Sequence, residues 1–315
     1  MVTLHLNPYE GVDWDAVDRH TAGFHAHTSH PPTEGHGGAD PPDTVIDDYH
    51  AAGYSVLALT GHEYNVEEPT WPWTDWDRDP AALGMVAVKG VELGGSDGGI
   101  EHDLLALFCD LADTTGMSVH EVLEAVGDRD GLAVFPHPGR YHEDGAWYVE
   151  YFRAHPHLLG VEVVNAADRH PTDRDTWDDL LERLAPDRAA WGFANDDYHG
   201  RDEDYPHDRS RNVLLLEDLT EAAVREALTG GRFFYQHVVE DEPPVVDAIR
   251  HDPDRGELAV EARDYEFVQW ASGGAVVGHG PRLAYRDAER VGGYVRARLV
   301  GPTGSETGTQ PFLLA

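Results

Sequence analysis

Seven short apolar runs recur along the first 195 residues of the chain, and most of them end in histidine, aspartate or glutamate. Continuous runs bounded by turns are typical of parallel strands that are buried on both faces. Most of the runs alternate with helical patterns or long loops, which favours a parallel sheet. A closed barrel brings the carboxyl ends of all its strands to one mouth, whereas an open sheet spreads them along an edge. We therefore predict an α/β barrel with one polar site.

The first run leads into Phe24-His25-Ala26-His27-Thr28. In an extended strand, side chains two residues apart point to the same side, so both imidazoles could reach one metal ion. A single His-x-His motif is a weak signal because short motifs match freely. The later runs strengthen it. They lead into Gly61-His62, Gly90-Val91-Glu92, Pro136-His137-Pro138-Gly139-Arg140 and Asn195-Asp196-Asp197-Tyr198-His199, and His102 stands directly before another run.

Four segments have the apolar spacing of helices, at 43–53, 118–127, 176–184 and 221–228. The second begins with Ser118-Val119-His120-Glu121, which has the Ser-x-x-Glu form of a capping box. From about residue 240 the pattern changes to short apolar runs separated by glycine, proline and aspartate. Val295, Ala297 and Leu299 alternate with two arginines, as in a strand with one face in water. We predict a barrel over residues 1–239 and a small antiparallel β-sandwich over residues 240–315, which affects stability or access and supplies no catalytic group.

The net charge of −36 comes from 59 acidic against 23 basic residues, and Lys89 is the only lysine. This composition is typical of a halophilic, haloarchaeal protein, because molar salt shortens the Debye length to about 3 Å and screens the self-repulsion. A strongly acidic mesophilic protein is the alternative. No basic run is present to release counterions, so we expect binding neither to nucleic acid nor to anionic membranes.

Cys109 is the only cysteine, which excludes an internal disulfide and a thiolate metal cluster. Residues 1–14 have no basic flank and no apolar core, so we expect no signal peptide. No apolar run approaches the roughly 20 residues that span a bilayer. We expect a cytoplasmic protein.

In this order, the motifs resemble the PHP (polymerase and histidinol phosphatase) family over about residues 20–237. The resemblance implies a distorted (β/α)7 barrel whose mouth holds two or three divalent metal ions and hydrolyses phosphate esters. Imidazole and carboxylate ligands suit zinc, manganese or iron. His25 and His27 would share a metal with Asp197, and Glu92 would bridge two metals. The implied metal ligands are His25, His27, His36, His62, Glu92, His102, His137, Asp197 and His199.

The chain departs from the family pattern at two places. Gly61 stands where the family usually has the aspartate of Thr-Asp-His, which removes one carboxylate from the site. The family also has a further ligand in the loop after His-x-His. Here His36 is the first choice for that ligand, Glu34 the second and His30 the third. The filling of a third metal site is left open.

The expected catalytic residues are Glu92, His137, Asp197 and Arg140. Arg140 and Arg169 follow the strands where a guanidinium could clamp a phosphate, although surface ion pairs would explain them equally well. We expect Glu162 to support the ligands from behind. Three tryptophans after the second run could stack a base or sugar, but packing of their loop is favoured: Trp71, Trp73 and Trp76.

The leading hypothesis is a metal-dependent phosphoesterase that acts on a small phosphomonoester, such as a nucleotide or a histidinol-phosphate-like metabolite. A hydroxide bridging the metals would attack phosphorus in line. One alternative is an amidohydrolase-type enzyme that acts on a carbon centre. Another is a metal-binding module without catalysis, which Gly61 favours. The expected partner is a small phosphorylated substrate, and the oligomeric state is left open.

Overall fold

The computed structural model describes residues 2–29, 37–63, 71–142, 144–201 and 206–315, and it confirms a mixed α/β fold. The helices are α1 (Pro42–Ala51), α2 (Pro80–Leu83), α3 (Val119–Asp128), α4 (Val149–Ala154), α5 (Asp173–Leu184) and α6 (Glu221–Gly230), with 3-10 turns at Trp73–Trp76 and Pro138–Arg140. The strands up to residue 240 are β1 (Leu4–Leu6), β2 (Asp18–Gly23), β3 (Val56–Leu59), β4 (Val86–Asp97), β5 (Ile100–Leu107), β6 (Leu132–Phe135), β7 (Leu158–Asn165), β8 (Trp191–Asn195), β9 (Ser210–Leu216) and β10 (Phe233–His237). The later strands are β11 (Val245–Asp252), β12 (Glu257–Arg263), β13 (Phe267–Ser272), β14 (Ala275–His279), β15 (Arg282–Ala284), β16 (Tyr294–Val300), β17 (Glu306–Gly308) and β18 (Phe312–Leu314).

The seven predicted runs correspond to β2 through β8, which lie side by side in that order. Strands β2, β3 and β4 are parallel, and so are β6, β7 and β8. The fourth run differs from the prediction, since β5 is antiparallel to both of its neighbours. Gly98 and Gly99 have positive φ angles of 58° and 85°, which suits a tight hairpin turn, so the chain returns from β4 without a helix.

No backbone ladder joins β8 to β2 or β9 in the described part of the chain, so a closed barrel is not shown. Two side-chain amides satisfy the outer edge of β8 instead. Asn212 accepts from the Ala194 N–H at 3.1 Å and donates to its carbonyl at 2.7 Å. Gln310 makes the same pair of bonds with Gly192, both at 2.8 Å. A parallel bridge between Ala26 and Tyr198 links the segment that follows β2 to the segment that follows β8.

The C-terminal strands continue the large sheet. Strand β17 pairs with β10 and β16, while β18 pairs with β16 and with the N-terminal β1. Strands β11, β12 and β15 form a separate three-stranded sheet. The boundary that we predict near residue 240 therefore lies between strands of one continuous sheet.

Helix α5 covers the face of β16 that we predicted to be wet. Arg296 is buried there, and it donates to Asp178 of α5 at 2.8 and 2.6 Å. Arg174, one turn earlier on α5, donates to Glu306 of β17 at 2.9 and 2.8 Å. The predicted solvent exposure of this face was wrong. Arginines that alternate with apolar residues indicate a face in water only when no helix with acidic side chains covers them. Within the described ranges, no helix combines the length and the apolar character needed to cross a membrane.

Candidate metal centre

The structure brings seven of the nine predicted ligands together after the ends of β2, β3, β6 and β8 and within β4. They are His25, His27, His62, Glu92, His137, Asp197 and His199. All are buried except His199, which is partly exposed. Seven titratable side chains in one buried cluster are costly unless they are paired or bind a cation.

The innermost group has the spacing of ligands around one cation. The Nε2 atoms of His25 and His27 lie 3.1 Å apart, and each lies 3.1 Å from Asp197 Oδ1. Glu92 Oε2 lies 3.4 Å from the first and 3.3 Å from the second. Zinc binds imidazole and carboxylate atoms at about 2.1 Å, so tetrahedral ligands lie about 3.4 Å apart. The four residues therefore fit a divalent cation.

Glu92 faces a second group through its other oxygen. Its Oε1 lies 3.4 Å from His137 Nε2, and these two residues form a potential ligand set with Asp103. Both Glu92 oxygens are buried, and Oε2 also lies 2.9 Å from His62 Nδ1. A carboxylate that presents one oxygen to each of two ligand sets is suited to bridge two cations.

A third potential ligand set consists of His27, His62 and His199. The rings of His27 and His199 stack with their centroids 4.1 Å apart. The loop that we expected to supply a further metal ligand contains His36, Glu34 and His30, and these lie outside the described residues.

The backbone after the strands, rather than the strands themselves, aims several ligands. Strand β2 ends at Gly23, so His25 and His27 lie beyond it. His137 and Asp197 have left-handed backbones, with φ angles of 31° and 49°. Asp197 therefore does not continue β8 as an extended strand, although its side chain and that of His199 both reach the cluster.

Glu162 holds two of these ligands from behind. Its Oε1 lies 2.9 Å from His25 Nδ1, and its Oε2 accepts from the His137 backbone N–H at 3.0 Å. Asn165 and Asn195 donate to the same carboxylate at 2.7 and 2.9 Å. When one ring nitrogen of a histidine binds a metal, a carboxylate that accepts a hydrogen bond from the other nitrogen fixes the ring orientation and tautomer. Strand β7 thus supports the cluster through a fully buried acid.

The buried carboxylates of the cluster need a positive counter-charge. Burial opposes a charged imidazole at His25, but Asp197, Glu162 and Glu92 raise its pKa well above the ordinary value. Burial opposes ionisation of Glu92 and Asp197, yet neighbouring imidazoles, chiefly His25, hold both pKa values well below the ordinary range. Burial lowers the pKa of His27 to about 3. A bound cation would replace the protonated imidazole as the counter-charge.

His102 is the predicted ligand that the structure does not bring into the cluster. Its Nε2 lies 2.9 Å from His142 Nε2, and its ring stacks on Trp147 at 4.2 Å. Its neighbour Asp103 faces the cluster instead, because Asp103 pairs with Gly94, two residues from Glu92, on the same face of the hairpin. Sequence reasoning missed Asp103 because the strand after it is apolar at successive positions, so no alternation reveals which side chain faces inward.

A cleft of about 580 Å³ opens onto the cluster, and its wall carries Arg140, Arg169 and His170. Arg140 Nη1 lies 3.3 Å from Asp103 Oδ2, and Arg169 Nη2 lies 2.7 Å from Asp197 Oδ2. The tryptophans of the loop after β3 pack against core residues, as favoured from the sequence, and Trp73 is fully buried.

No protein-family model and no curated protein matches this chain. A two-domain protein from Bacteroides vulgatus ATCC 8482, which contains a predicted PHP-like metal-dependent phosphoesterase, has a TM-score of 0.56 at 14% identity and matches over 98% of this chain and 90% of its own. An amidohydrolase from Chromobacterium violaceum, solved with bound sulfate and no metal, has a TM-score of 0.47 at 17% identity over 67% of this chain and 96% of its own. The first likeness shows that the fold, including its C-terminal strands, resembles that of this two-domain protein.

Proposed function

We propose that this chain is a metal-dependent hydrolase of the PHP family that cleaves a small phosphomonoester. The observation that carries the proposal is Glu92, a buried carboxylate surrounded by imidazoles, whose two oxygens face different ligand sets. A buried carboxylate needs positive charge beside it, and two cations would supply that charge. His25, His27 and Asp197 would hold one cation and His137 the other, with Asp103 as an added ligand. His62 and His199 would contribute to a third.

Divalent cations in these positions would activate water and neutralise charge on phosphoryl oxygens. Zinc, manganese or iron suits this set of imidazoles and carboxylates. Arg140 and Arg169 would bind the phosphoryl group from the cleft wall, since a guanidinium can donate two parallel hydrogen bonds to a phosphate. These two guanidinium groups support an anionic ester in preference to a neutral amide.

The test combines elemental analysis with an assay panel. Protein purified in high salt is expected to contain two or three divalent cations per chain and to hydrolyse at least one phosphomonoester. Glu92→Gln is expected to lose metal and turnover, while Glu101→Gln, a matched change of an exposed acid on β5, keeps both. If the protein hydrolysed amides and no phosphomonoester, the proposed phosphoesterase activity would be wrong and an amidohydrolase activity would take its place. Tight metal binding without turnover of any substrate would contradict the proposal that the chain is an enzyme.

A further inference from the structure

The loop that carries Arg169 into the cleft has an unusual backbone. Ala166, Ala167 and Asp168 have φ angles of 44°, 57° and 70°, which is the left-handed region. Residues other than glycine enter this region rarely, and three in succession need support from their surroundings. Two backbone hydrogen bonds close the loop, from Ala166 to Asn195 at 3.1 Å and from Arg169 to Asn165 at 2.9 Å. These bonds do not involve Asp168.

Arg174, in the first turn of α5, supplies the support at Asp168. Its Nη1 donates to Asp168 Oδ1 at 2.5 Å. Its Nε and Nη2 donate to Glu306 Oε1 at 2.9 and 2.8 Å. Glu306 belongs to β17 and is 1% exposed, and its second oxygen accepts from Arg298. The guanidinium of Arg174 is thus fixed between the loop and a C-terminal strand.

The other end of the loop is held at the cluster. Arg169 Nη2 donates to Asp197 Oδ2 at 2.7 Å and to Asn165 Oδ1 at 3.0 Å. Asp197 Oδ1 faces His25 and His27 instead. Arg169 therefore orients a predicted metal ligand and also borders the cleft.

We infer that Glu306 and Arg174 are positioning residues that hold Arg169 for binding of the phosphoryl group. The C-terminal strands would then act on substrate binding without touching the substrate. This inference rests on the proposed function, because it needs an anionic group in the cleft.

The experiment measures binding of inorganic phosphate to the full-length, metal-saturated protein by calorimetry, together with KM and kcat for a phosphomonoester. Arg169→Gln is expected to weaken phosphate binding about tenfold or more, the effect of one lost charged hydrogen bond. Arg174→Gln and Glu306→Gln are expected to weaken it about three- to tenfold and to raise KM in proportion, with kcat nearly unchanged.

Asp178→Asn is the matched control. Asp178 lies on the same helix and forms a buried ion pair with the C-terminal sheet through Arg296, but no contact is found between it and the loop at residues 166–169 in the described structure. Asp178→Asn should lower the unfolding temperature and leave phosphate affinity within about twofold. Asp168→Asn is a second variant that keeps the Arg174–Glu306 pair, and asparagine tolerates the left-handed backbone. It should weaken phosphate binding as Arg174→Gln does.

The outcomes separate the two proposals. If Arg169→Gln binds phosphate as the wild type does, the phosphate assignment of the cleft fails. If Arg169→Gln is weakened but Arg174→Gln and Asp168→Asn are not, the positioning inference is overturned and the proposed function stands. Equal weakening by Asp178→Asn and Arg174→Gln would also overturn it, since a general loosening of α5 would then explain both.

Discussion

Asp196 and Asp197 are neighbours in the chain with different environments. Asp197 lies in the cluster, where its Oδ1 is 3.1 Å from two imidazoles. Asp196 points away and accepts hydrogen bonds from Tyr49 and three backbone N–H groups. The backbone donors are Asp208, Arg209 and Ser210, at 2.8, 2.9 and 2.8 Å. One acid is suited to hold a cation and the other to hold a loop.

We expect Asp197→Asn to fold normally, to lose at least one cation per chain and to lose roughly a hundredfold in turnover, because the charge that retains the cation is gone. Asp196→Asn should keep its metal but lose about 1–3 kcal/mol of stability, since an amide would leave backbone donors unpaired. Metal analysis and denaturant unfolding of both variants check this. Full metal content in Asp197→Asn, or metal loss confined to Asp196→Asn, would contradict the assignment.

The neighbouring residues His102 and Asp103 provide a second test of the ligand assignment. Asp103→Asn is expected to reduce metal content, because Asp103 belongs to the set that contains Glu92 and His137. His102→Gln should leave metal content unchanged, since its imidazole is paired with His142. Elemental analysis of the two variants under the same dialysis decides between them. The reverse result would restore the ligand assigned from the sequence.

Residue types in the cluster were predictable from the sequence because imidazoles and carboxylates follow the apolar runs. The inward-facing member of each polar pair was predictable only where a motif fixed it, as at His25 and His27. At His102 and Asp103 the strand is buried on both faces, so the apolar pattern has no period of two to set the phase. The cleft residue His170 carries no sequence signal at all beyond its neighbour Arg169.

At the level of elements, the turns after the strands decide where the ligands point. His137 precedes a 3-10 turn that contains Gly139, whose N–H donates to the buried Asp173 of α5 at 2.6 Å. A methyl group at Gly139 would lie 2.6 Å from Asp173 Oδ1 and 2.7 Å from Thr172 Oγ1. Such distances are too short for a carbon atom, so the turn needs glycine to approach α5.

We expect Gly139→Ala to lower stability by about 1–3 kcal/mol through overpacking and a strained hydrogen bond. Gly230→Ala is the control, because the new methyl group would meet only the side chain of Arg232, at 3.9 Å or more, at the end of α6. It should be neutral or stabilising by about 0.5–1 kcal/mol. Thermal unfolding of both variants provides the measurement. Equal stability of Gly139→Ala and the wild type would show that the turn moves freely.

Across the whole molecule, two ion pairs join α5 to the C-terminal strands, and the one between Asp178 and Arg296 is buried. A chain that ends at residue 239 would lack Glu306 and Arg296, and removal of one partner from a buried pair costs about 3–5 kcal/mol. We expect this truncated chain to lose cooperative unfolding, measured by circular dichroism against the full chain. Cooperative unfolding near the same temperature would show that residues 1–239 fold by themselves.

The net charge of −36 leads us to expect a fold that is sensitive to salt. We expect the unfolding temperature to rise as chloride salt goes from dilute to molar, because screening relieves repulsion among the surplus carboxylates. The control is a neutral osmolyte at equal osmolarity, which does not screen charge. A flat or falling unfolding temperature in salt would count against the halophilic interpretation.

The sequence predicted the positions of β3 through β8 because each contains an apolar run between turns, whereas β2 was located only by the His-x-His motif that follows it. It could not predict that β5 runs antiparallel, because an apolar run does not reveal the direction of its strand. The Gly98-Gly99 pair also does not by itself distinguish a hairpin turn from a longer connection. It also could not predict that β17 pairs with β10, because such pairing depends on residues 70 positions apart. Long-range pairing leaves no local pattern.

The outer edge of β8 is fastened by the amides of Asn212 and Gln310 rather than by a strand. A backbone ladder fixes the stagger between two strands, whereas a side-chain amide follows its partner by rotating about its own bonds. We therefore expect the sheet to tolerate changes in curvature along this line while its N–H and C=O groups stay satisfied. We expect the wall around the cluster to widen or narrow more easily at this edge of β8 than between strands that a backbone ladder joins.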